Sequence, residues 1–322
     1  MNDTTTTAQP ATIDELASFY KACGEALRLN ILRVLSTNSF GVLELAHIFS
    51  VGQSGISHHL KILSQAGLVT SRREGNAIFY RRSSQQQNEP LHACLFGQLD
   101  LLPVEAAITQ RIDEIHLERA STSAAYFQRI GHDFDQNQEL IAGIQQYADS
   151  LTALLDSLSG PRDLAIEVGP GNGRFLPVLS QRYARVLAVD NSQCMLQQAR
   201  EYCRQQELAN IEFVLADALQ QQLPAADCLI LNMVLHHLPA PTDAIARLSQ
   251  ALRPGGNMII SELCRHDQDW AQQACGDLWL GFEQQELGHW AMQAGLIPGQ
   301  PVFLGLKNGF QIQLRQFAKA TH

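Results

Sequence analysis

The densest chemistry in the 322-residue sequence begins at Glu167, where Glu167-Val168-Gly169-Pro170-Gly171-Asn172-Gly173 sets a carboxylate beside three glycines two residues apart. Glycines there let a loop backbone approach a ligand closely, and the helix after them offers free N–H groups. The spacing is G-x-G-x-G, not the dinucleotide G-x-G-x-x-G, because Arg174 follows the last glycine directly. Asp190 closes the next apolar run, roughly 20 residues on, where a carboxylate can accept both hydroxyls of a ribose. A third run, from Ile211, also ends in an acid, Asp217, and a fourth, Asp227 to Leu238, opens into a loop carrying His236 and His237.

A different chemistry sits near the start of the chain. With Ile56, Leu60 and Leu63 on one side of a helix, Ser54, Ser57, His58, Lys61 and Gln65 share the other. These side chains pair with phosphates and base edges, and none is acidic. Two strand-like runs then flank Glu74-Gly75-Asn76, a hairpin signal with Arg72 and Arg73 close to its tip. A polar-faced helix followed by a basic hairpin is the layout needed to read a groove and grip the adjacent backbone.

The elements around these residues follow from apolar spacing. Helical patterning covers Ile13 to Leu35, and Val42 to Ile48 makes a short third helix. Gln53 or Ser54 is expected to cap the fourth helix, and Gly67 to stop it. Pro103 is expected to start a helix with Ile108, Ile112 and Ile115 on one face. Strands are expected at 164–168, 185–190, 211–218, 227–238 and, after a turn at Arg253-Pro254-Gly255-Gly256, to Glu262, alternating with helical segments. That alternation implies a parallel, doubly wound α/β sheet with its ligand at the carboxyl ends of the strands.

The segment Gln53 to Val69, with Leu27-Arg28-Leu29-Asn30-Ile31-Leu32 before it, resembles the winged helix-turn-helix of the ArsR/SmtB family of transcriptional regulators over residues 12–82. The resemblance implies a homodimer on a double-stranded DNA operator that is an inverted repeat. It assigns Gln53, Ser54, Ser57, His58, His59 and Lys61 to the DNA-facing helix, and Arg72 and Arg73 to the wing. One family feature is missing: the third helix reads Phe40-Gly41-Val42-Leu43-Glu44-Leu45, without the Cys-x-Cys of metal-sensing members. His92 with Cys94, or Asp113 with His116, are the replacements a metal-responsive repressor could offer. No metal site is assigned.

Residues 120–322 resemble the class I S-adenosylmethionine-dependent methyltransferases, with a Rossmann-like fold. By that resemblance Glu167, Gly169, Gly171 and Gly173 hold the methionine part, Asp190 the ribose, and Asp217-Ala218 the adenine. Asn232 lies in the strand beside the methyl group. The cofactor implied is S-adenosylmethionine or S-adenosylhomocysteine. His236 and His237 lie where a general base could take a proton from an acceptor, although methyl transfer can run on proximity alone. Tyr126, Phe127 and Phe134 are candidates for a lid or for ordinary core. The stretches Cys264 to Trp270 and Asp277 to Phe282 either border an acceptor pocket or pack a helix on the sheet.

Charge divides the chain in the same way. Residues 1–90 hold eight Lys/Arg against seven Asp/Glu, and the rest fifteen against twenty-five, so a small basic module precedes an acidic body within a net charge of −9. The expected layout is a flexible N-terminus at 1–11, the winged helix at 12–90, a linker and dimerisation helix at 91–119, and the methyltransferase-like domain at 120–322. A polar stretch, Ser83 to Pro90, is the linker candidate. At 45% hydrophobic and 17% charged residues, the composition is globular and excludes disorder as the dominant state. No apolar run approaches the roughly 18 residues that span a bilayer, and Met1 to Pro10 has no secretory character. Seven scattered cysteines without a C-x-x-C pair read as free thiols, so a cytoplasmic location is expected.

These features point to a transcriptional regulator, a repressor by the resemblance, controlled by an S-adenosyl ligand. The alternative is an active small-molecule methyltransferase with an autoregulatory DNA-binding domain.

Overall fold

Thr12 opens the first helix with a capping box: its hydroxyl accepts from the Glu15 amide at 3.2 Å, and the Glu15 carboxylate accepts from the Thr12 amide at 2.8 Å. The computed structural model describes residues 12–83, 90–130 and 140–321, in two compact units that divide between His116 and Leu117. The N-terminus 1–11, most of the expected linker and Phe134 lie outside the described residues.

The first unit runs α1 (Ile13–Cys23), α2 (Ala26–Val34), β1 (Phe40–Gly41), α3 (Val42–Phe49), α4 (Gln53–Gln65), β2 (Val69–Glu74), β3 (Ala77–Arg82), α5 (Pro90–Asp100) and the start of α6 (Ala106–Ile130). Ile31, Leu32, Leu45, Ile56, Leu60 and Leu63 form its core, as the helical spacing demands. Helix α4 starts one position earlier than a Gln53 cap, and two earlier than a Ser54 cap, would place it. Gly52 is the N-cap, and its carbonyl accepts from Gly55 and Ile56. At the other end Gly67 takes φ 68° while the Leu68 amide reaches back to the Leu63 carbonyl, the left-handed stop expected of glycine.

The wing is an antiparallel sheet in the order β1-β3-β2. Glu74 pairs with Ala77 in register, so Gly75 and Asn76 make a two-residue turn, with Gly75 at φ 57°. Strand β1 is too short to carry a period and was not expected. Helix α5 closes the unit with Phe96 and Leu99. Under it, Arg82 donates to the Leu32 carbonyl at 2.6 Å, pairs with Asp100 at 2.8 Å and lies over the Phe96 ring. Helix α6 begins three residues after Pro103 and buries Ile108 and Ile115 in this core.

The second unit continues with α7 (Ala148–Asp156), β4 (Leu164–Val168), α8 (Leu176–Ser180), β5 (Arg185–Asp190), α9 (Gln193–Gln205), β6 (Ile211–Leu215), β7 (Ala226–Asn232), α10 (Pro241–Ser249) and β8 (Leu252–Leu263). It ends with α11 (Trp270–Cys275), α12 (Gln284–Gln293), β9 (Leu296–Pro298), β10 (Val302–Gly305) and β11 (Gln311–Lys319). The sheet order is β10-β11-β8-β7-β4-β5-β6, with β9 also paired to β11. Neighbours among β4 to β8 are parallel, which gives the Rossmann-like, doubly wound α/β fold. Beyond β8, strand β11 runs antiparallel to β8, β9 and β10.

Two strands are shorter than their apolar runs. β6 stops at Leu215 and β7 at Asn232, so Asp217 and the two histidines lie in loops, the histidines in a 3₁₀ turn, Leu235–His237. Strand order reverses between β4 and β7, and a ligand crevice forms at such a switch point.

Candidate functional site

Strand β4 is buried at every position and delivers Glu167 to this crevice with 1% of its surface exposed. The loop after it is held by the Gly169 amide donating to Val189, at 2.8 Å, and by the Gly173 amide donating to Pro170. Gly169, Gly171 and Gly173 take φ of 64°, 56° and 81°, a region where a Cβ is strained. Gly169 also lacks room. An ideal Cβ there would sit 2.8 Å from Cγ2 of Val234, a residue of the loop after β7.

Burial pushes the Glu167 carboxyl up to about 8, against a hydrogen bond from Asn232 that lowers it. Asn232 also bonds the hydroxyl of Tyr147, a buried residue just before α7. Glu167 Oε2 and Asn232 Oδ1 are buried without a hydrogen-bond partner among the described residues. Buried acceptors are rarely left unmet. Two of them side by side fit a ligand that brings a cation and donors, such as an amino-acid ammonium. Tyr147 was invisible in the sequence, since no motif surrounds it.

At the end of β5 the Asp190 carboxylate accepts from the Ser192 amide at 2.8 Å, and burial raises its pKa to about 6. Asp217 is exposed and accepts from the Leu219 amide, while Ala218 beside it is buried. Glu167, Asp190 and Asn232 thus stand at the carboxyl ends of three adjacent strands, β5-β4-β7, with Asp217 just past the end of β6.

The two histidines have different settings. His236 is buried, with Nδ1 2.6 Å from Glu262 Oε1 and Nε2 3.7 Å from Asp277 Oδ1. Burial alone would lower its pKa, but the Glu262 and Asp277 carboxylates lift it to about 9. The His237 pKa falls well below the usual imidazole value through burial and the adjacent His236, against the hydrogen bond to the Gly276 carbonyl at 3.2 Å. The Leu278 and Trp279 amides both donate to the His236 carbonyl, so the stretch after Asp277 braces this turn. Phe127 meets the His237 ring edge-on at 4.8 Å, and the Tyr126 hydroxyl donates to the Ala274 carbonyl.

In the first unit Gln53, Ser54, Ser57, His58 and Lys61 lie exposed along α4. His59 does not join them: its ring is half-buried, with Nδ1 3.5 Å from the Glu25 carboxylate. The wing arginines also part. Arg73 is exposed and donates to the Gly75 carbonyl at 2.8 Å, whereas Arg72 is buried in an ion pair with Glu74. His92 packs edge-on against Phe19, and His116 stacks on Phe40.

Comparison with known proteins divides the chain in the same two parts. Residues 26–71 match the model described as bacterial regulatory protein, arsR family, and residues 166–260 the model described as methyltransferase domain. Carboxy-S-adenosyl-L-methionine synthases of Stutzerimonas stutzeri and Pseudomonas fluorescens strain SBW25 are each 29% identical, over 161 and 162 residues. Those alignments cover 47% of this chain and 65% of the relatives, less than two thirds of their length. Among solved structures, magnesium protoporphyrin IX methyltransferase from Synechocystis PCC 6803, with bound S-adenosylhomocysteine, superposes with a TM-score of 0.51 at 18% identity. That match covers 63% of this chain and all of the other, and shows the shared fold. The chain joins a winged helix-turn-helix of the arsR family of bacterial regulatory proteins to a methyltransferase domain of Rossmann-like fold.

Proposed function

We propose that the protein is a transcriptional repressor whose operator affinity is set by S-adenosylhomocysteine or S-adenosylmethionine bound in its second unit. Glu167, Gly169, Gly171, Gly173, Asp190, Asp217, Ala218 and Asn232 hold the ligand. Gln53, Ser54, Ser57, His58 and Lys61, with Arg73 of the wing, meet DNA. The engagement of His236 carries this reading over catalysis: each of its ring nitrogens faces a buried carboxylate, 2.6 and 3.7 Å away. Between those carboxylates the ring is lifted to about 9, so near neutral pH it already carries both protons and has no site for a proton from an acceptor.

Control needs only that the ligand bind two states of the protein with different affinity, and a difference of about 1–3 kcal/mol is typical. Helix α6 gives that difference a route, because it contributes Ile108 and Ile115 to the first unit and Arg119 and Tyr126 to the second. The repressor acts as a homodimer on an inverted repeat, which matches two-fold protein symmetry. Ile13 and Tyr20 on α1 and Leu101 and Leu102 after α5 are exposed apolar side chains that a partner copy would cover.

Fluorescence anisotropy of labelled operator, titrated with each S-adenosyl ligand, tests the proposal. A shift in operator affinity with one ligand is expected, and no shift with either at saturation refutes it. The second reading, an active small-molecule methyltransferase, is favoured by the complete set of ligand-binding positions. It predicts labelled product when the protein is incubated with radiolabelled methyl donor and cell extract.

A further inference from the structure

His236 and His237 meet Asp277 from the loop after α11, and one donor atom from each lies within 4.8 Å of the other two. We propose that these three residues form a divalent transition-metal site of the zinc class, with Glu262 as its outer carboxylate. The site is separate from the S-adenosyl positions and does not depend on the regulatory reading.

The donor chemistry is two imidazoles and one carboxylate, the set that holds zinc or ferrous iron with coordination positions left open. Distances agree with the chemistry. His236 Nε2 and His237 Nδ1 lie 3.7 and 4.0 Å from Asp277 Oδ1, beyond hydrogen-bond reach. Donors around a tetrahedral ion at about 2.1 Å stand roughly 3.4 Å apart, so the 3.7 and 4.0 Å separations close by roughly 0.3 and 0.6 Å and the set, now within 4.8 Å, contracts by rotation of these side chains.

The surroundings have the form of a metal site's outer shell. Glu262, fully buried, takes the proton side of His236 Nδ1 at 2.6 Å, which leaves Nε2 as the donor facing Asp277. A carboxylate behind a ligating imidazole fixes its tautomer and raises its basicity. The backbone amide of His236 donates to the same carboxylate at 3.2 Å. The Leu278 and Trp279 amides lock the His236 peptide, so the histidine turn and the Asp277 loop are already joined. His237, with 13% of its side chain exposed against 5% and 0% for His236 and Asp277, gives the ion its way in. On uptake, His236 Nε2 gives its proton to solvent, while neutral His237 takes a proton from water at Nε2 as Nδ1 releases one, and exchanges the Gly276 carbonyl for the metal. Three protein donors leave a position for water or for an anionic oxygen of a second small molecule.

The test uses the full-length protein stripped with a chelator. Zinc chloride is added, excess removed by gel filtration, and bound metal counted by mass spectrometry. One ion per chain is expected. His237→Ala and Asp277→Asn should each abolish retention, and Glu262→Gln should weaken zinc binding 10- to 100-fold, as outer-shell changes do. A Cys264→Ser/Cys275→Ser variant should retain the ion, which separates this site from adventitious thiolates. Cobalt(II) added to the unaltered protein should give the visible band of a low-coordinate nitrogen–oxygen site, so the result does not depend on any variant folding. No retained zinc, equal retention in His237→Ala and Asp277→Asn, or the absence of a cobalt band overturns the proposal.

Discussion

Arg72 and Glu74 form an ion pair inside the wing, with 8% and 1% of their side chains exposed. Neighbouring Arg73 points to solvent, so the two arginines answer to different forces. Arg72→Ala removes a charged partner from a buried carboxylate and should destabilise the first unit by up to about 3–5 kcal/mol. A urea melt checks this, and an unchanged midpoint contradicts it.

Arg73→Ala should leave that melt unaltered and weaken operator binding on every sequence. Loss of one phosphate contact flattens the slope of log affinity against log salt by about one unit. Anisotropy at several salt concentrations reads the slope, and an unchanged one removes Arg73 from the DNA face.

Asp190→Ala should weaken S-adenosyl ligand binding about 10- to 100-fold, the worth of hydrogen bonds to a charged group. Operator binding without ligand should stay as it was. Calorimetry and anisotropy together make the measurement, and unaltered ligand affinity rejects the ribose assignment.

Glu167 makes stability depend on pH. Its carboxyl titrates near 4.5 when unfolded and about 8 when folded, so the folded state holds the extra proton between those values. Stability is therefore full below about 4.5, falls as pH rises towards 8, and levels above it. A ligand cation seated against the ionised carboxylate removes that penalty. Melting curves from pH 5 to 8.5 should decline more steeply without ligand than with it, and more steeply than in Glu167→Gln, because Asp190 and His236 add their own decline in the same range. The same slope in Glu167→Gln would show that another group is responsible.

The sequence made the ligand edge legible because strand ends are marked by an acid or amide directly after an apolar run, as at Glu167, Asp190 and Asn232. The face of α4 was legible for a similar reason, since Ile56, Leu60 and Leu63 fix which side is buried. His59 and Arg72 could not be sorted from their neighbours. Their settings depend on Glu25, distant in the chain, and on Glu74, whose side chain a period-two pattern leaves ambiguous. Tyr147 was hidden in the same way, and Asp277 was legible only as part of a stretch that borders a pocket or packs on the sheet, because each meets the site through tertiary packing.

Gly169→Ala would combine a left-handed φ with a contact to Val234 that no Cβ tolerates. It should reduce ligand affinity and cost at least about 1–2 kcal/mol in stability. Val234→Ala in the same chain should restore part of the loss, and additive effects in the double variant would deny that the two positions touch.

The missing side chain at Gly169 is thus a socket, and the Val234 methyl is the peg that fills it. The glycine loop and the turn bearing both imidazoles therefore share one contact, and any side chain added at position 169 would press first on the strand-to-turn segment that carries His236 and His237.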